Sequence, residues 1–257
     1  MNFIQQAYKG HNDLWRYFIT TLIVMAPFLL NIVIYVAFPE MFEASMEEIN
    51  NYEGNKNFFL FLNLIPFAIL LVFLFLFVKF LHERSLRSLT TSRSKIDWGR
   101  AFYAFFLWFG TSLAFLIIGY FMAPETMEWN FKPLPFFLLV VISLIFIPIQ
   151  TSLEEYLFRG YLMQGLGVLA KNRWFPLLVT SVSFGLLHAF NPEVDKLGWG
   201  VMVFYIGTGL LFGIATLMDE GIELALGLHA ANNLVAAIFV TTNWTCLLYT
   251  SPSPRDA

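Results

Sequence analysis

The sequence has little charge, one cysteine and no excess of basic residues. Only 13% of its 257 residues are charged, whereas 58% are hydrophobic and 30 are phenylalanine. A soluble domain of this length has too little interior to bury so much apolar surface. The single cysteine, Cys246, excludes a disulfide framework and a cysteine metal site. Because the net charge is −3 and no basic stretch with interleaved aromatic residues is present, nucleic-acid binding is not expected.

The sequence contains several long segments without charged residues. A helix needs about 20 apolar residues to cross the hydrocarbon core of a bilayer. Seven segments have this character, although the fifth is shorter and more polar: Tyr17–Pro39, Asn57–Val78, Ala101–Pro124, Pro133–Leu153, Trp174–Pro192, Leu197–Met218 and Leu224 onward. We therefore expect an all-α fold, a polytopic transmembrane helical bundle of seven spans, and we allow for an eighth span lost at the C-terminus.

The end of the sequence differs from the rest. Residues 246–257 resemble the conceptual translation of a sequencing-library adapter read through in frame. We expect this segment to be a non-native tail. Residues 1–245 are then expected to form a single membrane-embedded domain, with a catalytic core at about 133–240.

The segments between the spans predict an orientation. Acidic residues dominate after the first span, at Glu40, Glu43, Glu47, Glu48 and Glu53, and basic residues dominate after the second, at Lys79, Arg84, Arg87, Arg93, Lys95 and Arg100. By the positive-inside rule, the basic segment is cytoplasmic and the N-terminus is inside. We expect an integral protein of a prokaryotic cytoplasmic membrane, with the basic segment against anionic lipids.

Two adjacent carboxylates and an arginine follow the fourth uncharged segment. A charge at bilayer depth costs about 2.5–3.5 kcal/mol on insertion scales, so such residues usually have a partner. Arg159 lies four residues after Glu155, which predicts an ion pair on one helix face. Glu154 points about 100° away and could face a cavity. The alternative is that all three residues mark the membrane boundary.

Two of the four histidines lie inside apolar segments, where a polar ring needs a partner. His188 follows Phe184 by one helical turn, and Asn233 follows His229 by one turn. The remaining histidines lie in polar segments and are expected to be solvated: His11 and His82.

These residues allow two kinds of water chemistry. Glu154, His188 and His229 could hold a divalent metal, zinc for example, with a position open for water. Alternatively, Glu154 could act as a general base while Asn233 stabilises an oxyanion. The HExxH zinc motif is absent, and no serine or cysteine nucleophile stands beside a histidine in an evident motif.

Three motifs in order resemble the signature of a known family. Glu154-Glu155-x-x-x-Arg159, Phe184-x-x-x-His188 and His229-x-x-x-Asn233 resemble the motifs of the CPBP intramembrane proteases, also called Abi. That family comprises CAAX prenyl endopeptidases and bacteriocin-processing or immunity enzymes. The resemblance covers about residues 133–240.

The resemblance implies an all-helical membrane protease whose cavity opens towards the cytosol. By motif position it implies a water-activating base (Glu154), its partner (His188), an oxyanion site (His229 and Asn233) and supporting residues (Glu155, Arg159 and Phe184). The implied substrate is a peptide or a lipidated protein. The resemblance leaves open whether zinc takes part. Because only three clear ligands are present, we favour the glutamate mechanism without a cofactor.

Two other functions are compatible with the same residues. One is a non-catalytic membrane protein that binds a peptide, as an immunity protein would. The other is a proton-coupled transporter in which buried Glu and His residues relay protons. No halves related by repetition are present, which argues against transport.

The predicted spans place the site residues at different depths. Glu154 lies near the cytoplasmic end of the fourth span, whereas His188 lies about 21 Å along the fifth. Their meeting requires either a broken helix or different span boundaries. The candidate break positions are Pro148, Gly160, Gly165 and Gly167.

Overall fold

Helices occupy all seven uncharged segments. A computed structural model describes residues 1–50, 55–124 and 131–240, and the predicted tail at 246–257 lies outside these ranges. The α-helices in the described ranges are α1 (Leu14–Ala37), α2 (Pro39–Asn50), α3 (Lys56–Leu76), α4 (Leu86–Thr90), α5 (Trp98–Met122), α6 (Pro133–Glu155), α7 (Met163–Ala170), α8 (Trp174–Leu187), α9 (Pro192–Leu197), α10 (Met202–Asp219) and α11 (Glu223–Phe239). In the same ranges the only β-type pairing is an isolated bridge between Thr91 and Gly221.

The prediction of an all-α polytopic membrane bundle is confirmed. Five helical stretches in the described ranges are long and apolar enough to cross a bilayer: Leu14–Ala37, Lys56–Leu81, Trp98–Met122, Pro133–Ala170 and Trp199–Asp219. The remaining two predicted spans correspond to shorter apolar helices, α8 and α11. Only 11% of the most apolar window of α1, and likewise of α5, is buried inside the protein. Their exposed apolar side chains are the surface expected to face lipid.

The fourth predicted span ends too early. The chain remains helical from Pro133 to Ala170, because α6 continues through a π-helical segment, Tyr156–Leu162, into α7. The charged Glu155 and Arg159 do not end the helix at the membrane surface, since both are fully buried and pair with each other. The backbone is not broken at any of the four predicted break positions. The change at Gly160 is a wider helical turn, of a kind often found at functional sites.

This longer helix removes the conflict of depths. Glu154 lies sixteen residues before the end of α7, or about 24 Å at 1.5 Å per residue. His188 lies fourteen residues after the start of α8, or about 21 Å. Since α7 and α8 pack together and only three residues join them, the two side chains reach a similar level.

Helix α11 is held against α5 at a very short distance. A Cβ atom at Gly227 would lie 2.1 Å from the carbonyl oxygen of Ala101 and 2.8 Å from the backbone nitrogen of Phe105. Only glycine allows this approach, which is how small residues bring membrane helices together. On its other side α11 contacts α6, and a buried cluster joins both to α3 through Leu64, Ile147 and Leu234.

The basic segment packs against the protein. Arg93 pairs with the fully buried Glu223 at 3.3 Å and with Asp219 at 3.0 Å. Arg100 also binds Asp219, and the backbone N–H of Ile222 donates to the carbonyl of Thr90. These contacts fix the turn between α10 and α11, and thereby the start of the helix that carries His229.

The prediction that His82 is solvated is wrong. Its side chain is buried, with Nδ1 2.7 Å from the backbone oxygen of His11 and Nε2 2.7 Å from the Tyr161 hydroxyl. Several polar residues near His82 in the sequence are themselves buried, among them Arg84. The other histidine of this pair, His11, is exposed as expected.

Candidate active site

One imidazole separates the two adjacent glutamates. Glu155 Oε1 lies 2.7 Å from Nδ1 of His229, and Glu154 Oε2 lies 3.4 Å from Nε2 of the same ring. The 100° between neighbouring helix positions directs the two carboxylates to opposite ends of the ring. The structure therefore brings the first and third motifs together.

Glu155 belongs to a buried charged cluster. Its Oε1 atom accepts from Arg159 at 2.9 Å, which is the predicted ion pair between positions i and i+4, and neither side chain is exposed. The guanidinium lies over the ring of Phe184, 4.3 Å from its centre, and donates to the carbonyl of Gly209 at 3.3 Å. Phe184 also packs edge-on against His229. The charge of Arg159 thus balances Glu155 and fixes the orientation of the imidazole.

Glu154 is held differently. Its side chain is 14% exposed, and its Oε1 atom accepts a hydrogen bond from the side-chain amide of Gln150 at 2.5 Å. Its Oε2 atom forms no hydrogen bond with any described residue and faces His229. One oxygen is therefore fixed, while the other is available for a reacting group.

The geometry of the His229 ring sets its contact with Glu154. Nδ1 of His229 donates to the Glu155 carboxylate at 2.7 Å. Nε2, at the opposite side of the ring, therefore faces Glu154 Oε2 at 3.4 Å. The ring is thus held between the two carboxylates.

His188 directly follows Leu187, the last residue of α8. Its Nδ1 atom donates to the carbonyl oxygen of Phe184 at 2.8 Å, so a neutral ring has its lone pair at Nε2. The ring stacks on Tyr205, with centres 4.5 Å apart, and packs at 4.8 Å against Phe184, whose ring also contacts His229 at 5.7 Å. The second motif thus joins the other two.

Asn233 reaches the site through Gln150. Its amide nitrogen donates to Gln150 Oε1 at 3.2 Å, and its own oxygen accepts from Asn232 at 3.2 Å. The indole nitrogen of Trp108 donates to Asn232 at 3.4 Å. An amide nitrogen carries two hydrogens, so the bond from Asn233 to Gln150 leaves one for another acceptor.

Four contacting residues were not assigned a role from the sequence: Gln150, Tyr205, Asn232 and Trp108. Gln150 had a usable signal, because it precedes Glu154 by four residues in the same helix and is polar in an apolar segment. Trp108 and Tyr205 lie on other helices among many aromatic residues. Their positions in the sequence do not indicate that they contact Asn232 and His188.

The metal set of Glu154, His188 and His229 stays a prediction. In the part of the chain that the structure describes, no group of three or more His, Cys, Asp or Glu side chains could hold a metal ion. The Nδ1 atoms of both histidines already donate to oxygen acceptors, one to Glu155 and one to Phe184. In both rings this leaves Nε2 as the atom that could bind a metal ion.

Comparisons with known proteins agree with the motif resemblance. The model of the family described as type II CAAX prenyl endopeptidase Rce1-like matches residues 132–235. YyaK, an uncharacterized protein of Bacillus subtilis (strain 168), is 30% identical over 248 residues, which cover 94% of this chain and 83% of that protein. No solved structure matches the chain. The matched region contains all three motifs.

Proposed function

Because the chain belongs to the Rce1-like family of type II CAAX prenyl endopeptidases, which are membrane proteases, we propose that it hydrolyses a peptide bond with Glu154 as the base. The membrane protease assignment rests on the family. The assignment of the base rests on one observation. Glu154 Oε2 forms no hydrogen bond with a described residue, although Oε1 of the same group is firmly bound.

The reaction begins with a water molecule beside Glu154. Oε2 takes one proton from the water, and the resulting hydroxide attacks the carbonyl carbon of the scissile bond. His188 accepts the other hydrogen of the water at Nε2 and so orients its oxygen. The lone pair needed for this contact follows from the bond between Nδ1 and the carbonyl of Phe184.

The tetrahedral intermediate carries a negative oxygen. In this proposal the remaining amide hydrogen of Asn233 and an N–H at His229 Nε2 are the donors that stabilise this oxygen. When the C–N bond breaks, Glu154 returns its proton to the leaving nitrogen. The products are a carboxylic acid and an amine, the acid passes its proton to the amine on release, and the site regains its initial charge.

We propose a membrane-associated substrate, a prenylated peptide for example. Glu154 lies within a long apolar helix, so a substrate anchored in the bilayer brings its peptide bond to the depth of the base. The same argument favours a lipidated substrate over a soluble one. The family resemblance predicts that the site opens towards the cytosolic side, and the positive-inside pattern predicts which end of the bundle that is.

The test uses the purified full chain in lipid nanodiscs and a quenched fluorescent peptide. The peptide contains an S-farnesylcysteine followed by three residues, and a second peptide lacks the farnesyl group. We expect Glu154→Gln and His188→Ala to lower kcat by about 10²–10⁴-fold, the usual contribution of acid–base catalysis. Glu43→Gln and His11→Ala change exposed residues of the same types and should leave the rate unchanged.

Chelation tests the cofactor in the same assay. Activity that survives removal of divalent metals supports the glutamate mechanism, whereas activity lost on chelation and restored by zinc contradicts it. Equal cleavage by wild type and both site variants would overturn the catalytic assignment. Tight binding of the farnesylated peptide with no cleavage product would instead support the peptide-binding alternative.

A further inference from the structure

We propose that Trp108, Asn232 and Gln150 are positioning residues, which fix the rotation and proton arrangement of the Glu154 carboxylate. The proposal rests on the proposed function, since it concerns the base of that reaction. Its basis is a continuous series of side-chain hydrogen bonds from α5 through α11 to α6, called here the amide relay. It consists of Trp108, Asn232, Asn233, Gln150 and Glu154.

The amide relay contains four bonds in series. Trp108 Nε1 donates to Asn232 Oδ1 at 3.4 Å, and Asn232 Nδ2 donates to Asn233 Oδ1 at 3.2 Å. Asn233 Nδ2 then donates to Gln150 Oε1 at 3.2 Å. Finally, Gln150 Nε2 donates to Glu154 Oε1 at 2.5 Å. Each amide accepts at its oxygen and donates from its nitrogen.

The indole determines the direction of the relay. Trp108 can only donate, so the oxygen of Asn232 must face it and the nitrogen of Asn232 must face Asn233. The same requirement passes to Asn233 and to Gln150. At the far end Glu154 Oε1 must be an acceptor, and this bond is strongest when that oxygen carries no proton. Any proton taken up by this carboxylate is therefore directed to Oε2, the oxygen that faces His229.

Packing holds the two ends of the relay in register. Helix α11 packs closely against α5 at Gly227, and the bond from Trp108 to Asn232 joins the same two helices. Trp108, Gln150 and Asn232 are all half-buried, which limits competition from water. Hydrogen bonds in series also polarise one another, which strengthens the last bond to Glu154.

Trp108→Phe tests the relay, because it removes the donor and keeps an aromatic ring. We expect kcat for the farnesylated peptide to fall about two- to tenfold, the value of one hydrogen bond, with KM unchanged. Trp98→Phe is the matched control, since Trp98 starts the same helix, is exposed and lies far from the site. A rise in KM with kcat unchanged would contradict a positioning role.

A double-mutant cycle distinguishes a series of bonds from separate structural effects. Asn232→Leu breaks two bonds and should lower kcat more than Trp108→Phe does. The combined variant should be no slower than Asn232→Leu alone, because the relay is already broken. Additive losses would overturn the proposal.

A spectroscopic measurement keeps the proposal testable without catalysis. In protein labelled with 15N at tryptophan, the indole N–H resonance of Trp108 is assigned by its absence in Trp108→Phe. Asn232→Leu should shift this resonance and leave that of Trp98 unchanged. An unshifted resonance overturns the relay even if the enzyme is active. If wild type cleaves no peptide, the proposed function fails, whereas a shifted resonance still supports the relay.

Discussion

His82 shows how one buried residue makes stability depend on pH. Burial lowers the pKa of His82, and the nearby positive charges of Arg84 and Arg16 lower it further, although the bond to the His11 carbonyl acts in the opposite direction. Nε2 of the ring lies 2.7 Å from the Tyr161 hydroxyl, which also donates to the carbonyl oxygen of Arg16 at 3.3 Å. A proton at Nε2 would place a positive charge inside a buried cluster that already contains Arg84.

We expect the protein to lose stability as the pH falls below about 6.5, the ordinary value for histidine. The pKa of His82 is lower in the folded state than in the unfolded state, so the unfolded chain takes up the proton first. The stability that the protein gains from a neutral His82 is therefore fully present above this pH. It is lost progressively as the pH falls towards the folded-state pKa of His82. The measurement compares thermal unfolding in nanodiscs at pH 8 and pH 5.5.

The control for this prediction is a second histidine. In His82→Gln the loss of stability between pH 8 and pH 5.5 should become smaller, whereas in His11→Gln, which removes only the smallest of the charges acting on His82, it should stay close to that of wild type. An unchanged pH dependence in His82→Gln would assign the effect to another group. Both variants keep a polar side chain, so the comparison concerns the titration of the ring.

Local spacing in the sequence predicts contacts within one helix but not contacts between helices. The pair of Glu155 and Arg159 follows from their separation of four residues, and the structure contains it. The motif spacing also points to His229 and His188, but it does not show that Glu155 binds the opposite side of the imidazole from Glu154. Trp108 could not have been found, because 124 residues separate it from Asn232.

At the level of whole helices, the contact between α5 and α11 controls the site. Gly227→Ala would place a Cβ atom 2.1 Å from the backbone oxygen of Ala101, where neither partner is a flexible side chain. We expect this substitution to destabilise the fold by about 1–3 kcal/mol, the usual cost of overpacking. Separation of the two helices should also weaken the bond between Trp108 and Asn232 and lower activity.

Gly110→Ala on α5 provides the matched control for this prediction. No atom lies within 4 Å of a Cβ built at Gly110, and alanine is favourable in a helix. Thermal unfolding and peptide cleavage should be unchanged or slightly improved in this variant. Equal stability of Gly227→Ala and wild type would contradict the close packing of α11.

The helices themselves were largely predictable, and the main error has a clear cause. Uncharged length predicts where a helix lies, and the structure has helices in all seven segments. Charge predicts a helix end only if the charged group must reach water. Glu155 and Arg159 satisfy each other inside the protein, so the helix that begins at Pro133 continues to Ala170.

At the scale of the whole molecule, exposed apolar surface and internal charge are separated. Helices α1 and α5 present phenylalanine and leucine outwards, for example Phe18, Phe106 and Phe115. The ion pairs of Arg93 and Arg100 instead join the basic segment to the turn before α11. The surface expected to contact lipid is therefore separate from the ion pairs that fix the turn before α11. The positions of both in the cell depend on the orientation of the protein in the bilayer.

The last prediction concerns that orientation, tested by labelling single cysteines in a Cys246→Ser background. Glu43 and Lys95 are exposed, and they lie in the acidic and basic segments respectively. Because basic segments stay in the cytoplasm, a membrane-impermeant maleimide added to intact cells should label Glu43→Cys and not Lys95→Cys. Permeabilised cells should give labelling of both, which controls for reactivity. Labelling of Lys95→Cys alone in intact cells would reverse the topology, and the site would then open away from the cytosol.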